Sequence, residues 1–402
     1  MPRTTTAQGP GPAVGWPLLA ALALLSAAGP LGTDMYLPSL AGMVDHLHTT
    51  APVVQLTMSA FMIGMGLGQL VAGPVSDLVG RKSVLIVSVA VFMLGSFGCA
   101  AAGGVGTLIA FRALSGLAGG AGVVVARAVI PDVVTGTAAA SALSALMAIQ
   151  GLAPVIAPLI GGFATPHIGW RGIFVVLAAI NAVGLLLAVT VVPETLPPDN
   201  RSGTGLAGLT DGFAFCLTNR GFVAYTTSFG IGFGVLFSWI AASPFVMQNA
   251  FGFSPGGYAV VFAVNALLIV AGSALSAVAV NRIGPQRLLL SALSASVAAA
   301  VVLLAFTTVA GDLVAVVLGC VAVVSLAAGV ILGNATALAL ASLAGRHTGA
   351  GSGLAGATQF LVAAVLAPLL GLWEDPVAGM AWVMTGCACV ALVACLAGRR
   401  IR

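Results

Sequence analysis

The sequence predicts an all-α integral membrane protein of twelve transmembrane helices in two six-helix halves, and three observations predict it. First, the chain of 402 residues is 60% hydrophobic and only 6% charged, where soluble domains carry about 25% charged residues. One soluble core cannot absorb that much apolar sequence, so the bilayer must be the solvent. Second, apolar runs long enough for a helical span recur with short loops between them, leaving room for about twelve spans of roughly 20 residues. Strands of alternating polarity are absent, which excludes a membrane barrel. Third, the charges are sorted. With the N-terminus inside, Arg3, Arg81, Lys82, Arg201, Arg220, Arg282, Arg287, Arg346, Arg399, Arg400 and Arg402 all fall in cytoplasmic segments. Only Arg171 falls clearly outside, while Asp45, Asp312, Glu374 and Asp375 lie in outer loops. This is the positive-inside pattern. The net charge of +4 therefore reports orientation, not a nucleic-acid partner.

Residues 1–15 read as a disordered cytoplasmic tail. The first apolar run is too long for a signal peptide and leads straight into further spans, so it reads as a retained helix. Helices are expected near 16–40, 52–74, 83–102, 106–130, 138–163 and 171–193, which makes residues 16–193 the first half. The stretch from Pro193 to Gly203 breaks the apolar pattern, and 194–220 reads as a cytoplasmic linker. The second half, 221–397, holds helices near 221–248, 254–280, 287–308, 313–340, 350–372 and 376–397, with 398–402 as a cytoplasmic end. Glycine is abundant, 53 residues, as expected where helices pack closely in lipid. Cys99, Cys216, Cys320, Cys387, Cys389 and Cys395 have no metal-ligand or redox spacing and read as small hydrophobes.

The stretch Gly73-Pro-Val-Ser-Asp77-Leu-Val-Gly80-Arg81-Lys82 places an acid and two bases between apolar segments. It reads as a tight inner turn: Asp77 caps a helix end, Gly80 permits the turn, and Arg81 and Lys82 anchor the inner face. Asn281-Arg-Ile-Gly284 repeats its outline at the equivalent place in the second half.

Several polar groups stand inside apolar runs. Asp34 lies in Gly32-Thr-Asp34-Met-Tyr36-Leu-Pro38. An ionised carboxylate in lipid is costly, so Asp34 either faces a wet cavity, where it can take up and release a proton, or anchors the outer helix end. Arg112, in Arg112-Ala-Leu-Ser115-Gly116, must find an acid, carbonyls or water. It either tunes a proton site or is structural; a direct pair with Asp34 is left open. In Gln150-Gly151-Leu-Ala-Pro154-Val-Ile-Ala-Pro158-Leu-Ile-Gly161-Gly162 the prolines favour a bend and the glycines close helix approach. Gln150 is a candidate cavity residue. Phe229, Phe233 and Phe237 share a helix face that either lines a greasy pocket or packs against core or lipid. Asn265, Asn334 and Gln359 are interhelical hydrogen-bond partners or substrate contacts.

These stretches resemble the major facilitator superfamily. Residues 73–82 follow its loop signature G-P-x-S-D-[KR]-x-G-R-[RK] except at Leu78, where a base is usual. Residues 112–118 resemble its helix-4 motif, with Ser115 where glutamine is common. Residues 154–162 resemble the antiporter motif, with Ala157 in place of a glycine. Residues 33–38 resemble the T-D-M-Y-L-P signature of the bicyclomycin-resistance (Bcr/CflA) subfamily of drug:proton antiporters. Ala242-Ser243-Pro244-Phe245 through Gln248, then Phe251-Gly252-Phe253-Ser254 and Phe262-Ala-Val-Asn265 resemble the same subfamily. Some relatives carry a second acid where this chain has Ser26.

The resemblance implies a plasma-membrane transporter with both termini cytoplasmic, expected as a monomer, that exports small amphipathic drugs by alternating access. Protons are the coupling ion, with no other cofactor. It implies proton coupling at Asp34 and Arg112, substrate contacts at Tyr36, Gln150, Phe233, Phe237, Asn265 and Gln359, and gating at Pro154, Pro158, Gly161 and Gly162. Asp77, Gly80, Arg81, Arg127 and Asp132 would form an inner charge cluster that holds the halves together in one state; solvated loop charges are the other reading. Two further functions fit: export of a physiological solute such as a sugar or amino acid, and a membrane sensor that moves nothing. No enzyme constellation, phosphate loop or metal-ligand set is visible; His46, His48, His167 and His347 all lie in or near loops.

Overall fold

The computed structural model describes residues 15–134, 136–197, 205–309, 314–344 and 346–400. Arg3, Arg201, Asp312, Arg402 and parts of the predicted tail, linker and C-terminal end lie outside them. Every regular element among the described residues is helical. The first half comprises α1 (Trp16–Asp34), a 3-10 turn (Leu37–Ser39), α2 (Leu40–His46), α3 (Ala51–Val79), α4 (Arg81–Ala100), α5 (Val105–Val133) and α6 (Gly136–Thr190). Then comes α7 (Gly205–Thr218). The second half comprises α8 (Arg220–Pro244) with a π-helical turn (Phe245–Ala250), α9 (Pro255–Ile283), α10 (Pro285–Val309), α11 (Val314–Ala341), α12 (Thr348–Leu370) and α13 (Pro376–Arg400).

Among the described residues, eleven stretches are long and apolar enough to cross a membrane. One of them, Ser141–Thr190, has 50 residues, about 75 Å of helix at 1.5 Å per residue. That is more than twice a bilayer core of about 30 Å. Its backbone breaks at Gly169 (φ 63°, ψ 179°), so it holds two spans, consistent with twelve crossings.

The first helix departs from its expected course over 16–40. The α-helix stops at Asp34, and the chain passes through the turn at Leu37–Ser39 before α2 carries the span to His46. Pro38 has no N–H to continue the ladder, and the hydroxyl of Ser39 bonds that of Thr165 at 3.0 Å. The segment read as the linker holds a helix, α7, over much of its length. Phe215 of α7 stacks at 5.1 Å from the His347 ring and lies 4.5 Å under the Arg346 guanidinium. Asn219 then caps α8, its side-chain oxygen accepting from the Phe222 N–H at 2.9 Å.

The duplicated turn is a structural repeat. Gly80 (φ 104°, ψ 148°) ends α3 and starts α4, and Gly284 (φ 85°, ψ 149°) joins α9 to α10 in the same way. Both values of φ lie where a Cβ is strained. The repeat extends to packing. A Cβ on Gly116 of α5 would collide with the Phe61 carbonyl of α3, and one on Gly329 of α11 with the Ile269 carbonyl of α9.

One end of the bundle is basic, with Arg81, Lys82, Arg220, Arg282, Arg287, Arg346 and Arg399. The other carries Asp45, Glu374 and Asp375. At the acidic end a single apolar core runs through both halves, from Met35, Tyr36 and Phe61 to Phe237, Trp239 and Tyr258. Toward the basic end each half has its own core, one around Leu22, Leu85 and Val129, the other around Phe222, Leu289 and Leu338. The halves thus share one core at the acidic end and keep separate cores toward the basic end, where α3 and α12 still touch at Leu70 and Gly353.

Candidate functional site

Arg112 is seated by a backbone approach. Gly116, one turn on, lets α5 lie against the Phe61 carbonyl, which brings the arginine beside the Phe61 ring. The guanidinium carbon lies 4.0 Å from that ring's centroid, 4.3 Å from Tyr36 and 5.8 Å from Phe174. Nη1 donates to the Gly32 carbonyl at 2.8 Å. The side chain is 1% exposed, and its Nε and Nη2 have no hydrogen-bond partner among the described residues. Three ring faces hold this cation where an acid would be expected; each contact is worth about 0.5–2 kcal/mol. Tyr36 is fixed in turn by a 3.3 Å bond between its hydroxyl and that of Thr57.

Asp34 is two residues beyond Gly32 and 6% exposed. No hydrogen bond or ion pair is made by its carboxylate among the described residues. The direct pair with Arg112 is not formed, because the arginine is taken up by Gly32 and the rings. On the second-half side, Tyr258 bonds the Ser243 hydroxyl at 3.1 Å. Next to Asp34, the Met35 carbonyl packs against Gly161, while Gly162 packs against Pro255 and Ala259 of α9. The paired glycines of α6 therefore do two jobs, one toward α1 and one across the seam. Pro154, two turns earlier, reaches the central cavity; Pro158 lies between them, inside α6.

Three hydrogen bonds cross the seam on the acidic side. Gln55 Nε2 donates to the Ala241 carbonyl at 3.2 Å, Ser59 Oγ to Ala364 at 2.7 Å, and Gln248 Nε2 to Pro38 at 3.0 Å. Gln55 and Ser59 were not foreseen as site residues. Their only sequence signal is two polar side chains at i and i+4 on an apolar helix, which resembles any interhelical pair.

Below this seal is a cavity of about 200 Å³, lined by Pro154, Phe233, Trp239, Phe262, Asn265 and Leu332 among others. Of the six expected substrate contacts, it gathers Phe233 and Asn265. Asn265 is already satisfied, donating to the Val261 carbonyl (2.9 Å) and accepting from Ser325 (3.0 Å). Phe237 stands in the core behind Phe233, ring centroids 5.9 Å apart. Tyr36 packs on Arg112, Gln150 bonds Arg127, and Gln359 is half-buried on α12; none of the three lines the cavity.

At the basic end Arg81 joins Asp77 (2.7 Å) and Asp132 (3.1 Å). Glu194 accepts from the backbone N–H groups of Arg81 (3.0 Å) and Lys82 (3.3 Å), capping α4 where its free donors gather. The hydroxyl of Thr195 donates to Asp132 at 3.0 Å. Arg127, expected in this cluster, is not in it. Its Nη2 donates to the Gln150 side-chain oxygen at 2.7 Å, and Gln150 Nε2 donates to the Ser26 carbonyl at 3.3 Å. The reason is depth: Arg127 lies more than a turn inside α5 and its side chain runs into the bundle. All these ionic partners belong to the first half, so in this conformation the cluster staples α3, α4 and α5 and does not tie the halves together. Among the described residues no group of three His, Cys, Asp or Glu could hold a metal.

Two helical halves, a seal at one end and a cavity on the seam are the architecture of a membrane transporter. The chain belongs to the Major Facilitator Superfamily, whose family pattern matches residues 22–368. This is a family of transporters, not enzymes. The Bacillus subtilis (strain 168) protein called uncharacterized MFS-type transporter YdgK is 35% identical over 74% of this chain and 74% of its own length. A Haemophilus influenzae bicyclomycin resistance protein homolog is 29% identical over 68% of this chain and 69% of its own. The multidrug resistance protein MdtL of Salmonella paratyphi B is 30% identical over 65% and 66%. Among solved structures, a peptide transporter POT in complex with alafosfalin shares the fold, with TM-score 0.76, 16% identity and coverage of 97% and 96%. The bicyclomycin-resistance resemblance read from residues 33–38 agrees with the names of these relatives.

Proposed function

We propose that the protein exports small amphipathic drugs across the plasma membrane in exchange for protons, with its basic end and both termini in the cytoplasm. The observation that carries this reading is Asp34: a buried carboxylate without a partner among the described residues, beside the seal and two residues from the carbonyl that Arg112 holds. An acid so placed changes its charge when the seal opens and water reaches it. Arg112, fixed by rings rather than by an acid, supplies a steady positive field that favours release of the proton. The apolar cavity below suits lipophilic cargo, and the names of two relatives speak of resistance to drugs. Proton binding at Asp34 from the outer side and drug binding from the cytoplasmic side shift one equilibrium in opposite senses.

The test is drug-driven proton movement in proteoliposomes, for wild type and Asp34→Asn, with chloramphenicol-like, sulfonamide and cationic dye substrates. The expected result is a flux that depends on the pH gradient and disappears in the variant. Full proton-driven flux in Asp34→Asn would remove Asp34 from the mechanism. Folded wild-type protein that moves none of the drugs would transfer the assignment to a physiological solute or to a sensor.

A further inference from the structure

We propose that Arg127 is the head-group receptor of the substrate path and that the ligand it selects is a compact lipophilic carboxylate. The inference rests on the reading of the seam cavity as that path.

Arg127 does not behave as an arginine that merely snorkels. Helix α5 ends at Val133 and α6 begins at Gly136, so both termini mark the basic end. At 1.5 Å per residue the Arg127 backbone lies about 9 Å from that end and Gln150 about 21 Å. The guanidinium nevertheless bonds Gln150 at 2.7 Å. The two side chains therefore meet between those depths, inside the bundle, with Arg127 itself half-buried. What it finds there is one amide oxygen. Its Nε is buried without a partner, and the ion pairs among the described residues involve Arg81 alone.

The surrounding charges sharpen the point. Arg112, which is buried, has no acid either among the described residues, and Asp34 is the one carboxylate buried there; Arg127 is half-buried beside them. The interior of the first half is thus net positive even with Asp34 ionised. Gln150 and Pro154 are one turn apart on α6, and Pro154 lines the cavity. Arg127 and Gln150 stand outside the cavity lining, so an apolar body among Phe233, Trp239 and Phe262 reaches Arg127 by a head that extends past Pro154 by about one helical turn, roughly 5 Å. A planar carboxylate matches the two guanidinium N–H groups, one orphaned and one now given to an amide. A cationic head would meet two positive charges. The cavity of about 200 Å³ is smaller than the usual drug pocket, so the body is compact.

The experiment uses the full-length protein in nanodiscs of neutral phospholipid, with no gradient. The probe is radiolabelled naphthalene-2-acetate, compared with its carboxamide and with 2-naphthylmethylammonium. Wild type is expected to bind the acid about tenfold or more tighter than the amide, as for a charge-assisted bond, and the ammonium weakest. Arg127→Gln should erase the preference for acid over amide, while Arg127→Lys keeps part of it. A readout independent of any variant is phenylglyoxal modification of wild type, with the site mapped by peptide mass. The acid, but not the amide, should protect Arg127.

Equal binding of acid and amide, a preference that survives in Arg127→Gln, or protection at Arg112 instead would each overturn the proposal. Displacement of the acid by phosphatidylglycerol added to the discs would also overturn it, by giving the site to a lipid head group. Because no gradient is used, a failure of proton coupling or drug export leaves this result intact. Export that persists without acid preference removes only this inference.

Discussion

Arg112 is held by geometry that a lysine cannot copy. A planar guanidinium lies between the Tyr36 and Phe61 rings, 4.3 and 4.0 Å from their centroids, and spends one N–H on a backbone carbonyl. A lysine keeps the charge but offers a compact, strongly hydrated head that must lose its water in the same slot. Arg112→Lys is therefore expected to fold, with a modest loss of thermal stability, and to lose transport by about tenfold or more. Flux in proteoliposomes beside a thermal-unfolding curve separates the two effects; wild-type flux would mean that charge alone is enough. Glu194 makes a contrasting case. It caps α4 through two backbone N–H groups in an exposed position, so Glu194→Ala should cost only about 1 kcal/mol, read as a small shift of the unfolding midpoint with the substrate path untouched.

Among the elements, α3 and α5 in the first half and α9 and α11 in the second pack by glycine against carbonyl. In lipid this substitutes for the hydrophobic effect, since close contact and not burial from water drives helix association. Gly116→Ala must push the helices apart at the Phe61 carbonyl, at a cost of about 1–3 kcal/mol, and it also moves the Phe61 ring off Arg112. Its stability and transport should fall together, and normal stability with lost transport would contradict this coupling. At Gly284 the cost arises differently: φ is 85°, so Gly284→Ala strains the turn by about 1–2 kcal/mol without any collision. Gly80→Ala should behave alike, because the two turns share one backbone conformation.

For the molecule as a whole, the halves share one core at the acidic end and have separate cores at the basic end. The three seam bonds from Gln55, Ser59 and Gln248 all go to backbone carbonyls, which lets them break and re-form without leaving a buried charge. If the halves rock, this seal must open once in every cycle. Ser59→Cys with Ala364→Cys, in a background lacking the exposed Cys389, is expected to form a cross-link that stops flux until a reductant is added. Unchanged flux in fully cross-linked protein would mean that the seal stays shut throughout transport.

Composition alone determined that the chain crosses a bilayer many times, because 6% charge cannot clothe a soluble fold. The motifs around Asp34 and Arg112 were legible because each puts a residue type that lipid penalises inside an apolar run; those around Arg81 and Gly161 were legible from the spacing of glycine, proline and charge. Partners were not legible. Arg127 and Asp132 stand close in sequence, yet one runs up to Gln150 and the other down to Arg81. Helical phase and depth set that choice, and both depend on how α5 packs. Gln55 and Ser59 carry no sequence signal that sets them apart from other polar residues on apolar helices; their partners exist only once α8 and α12 of the other half lie against them. A sequence states which groups must be satisfied in the membrane; only the packed bundle decides which group satisfies which, because those contacts join helices as much as 305 residues apart.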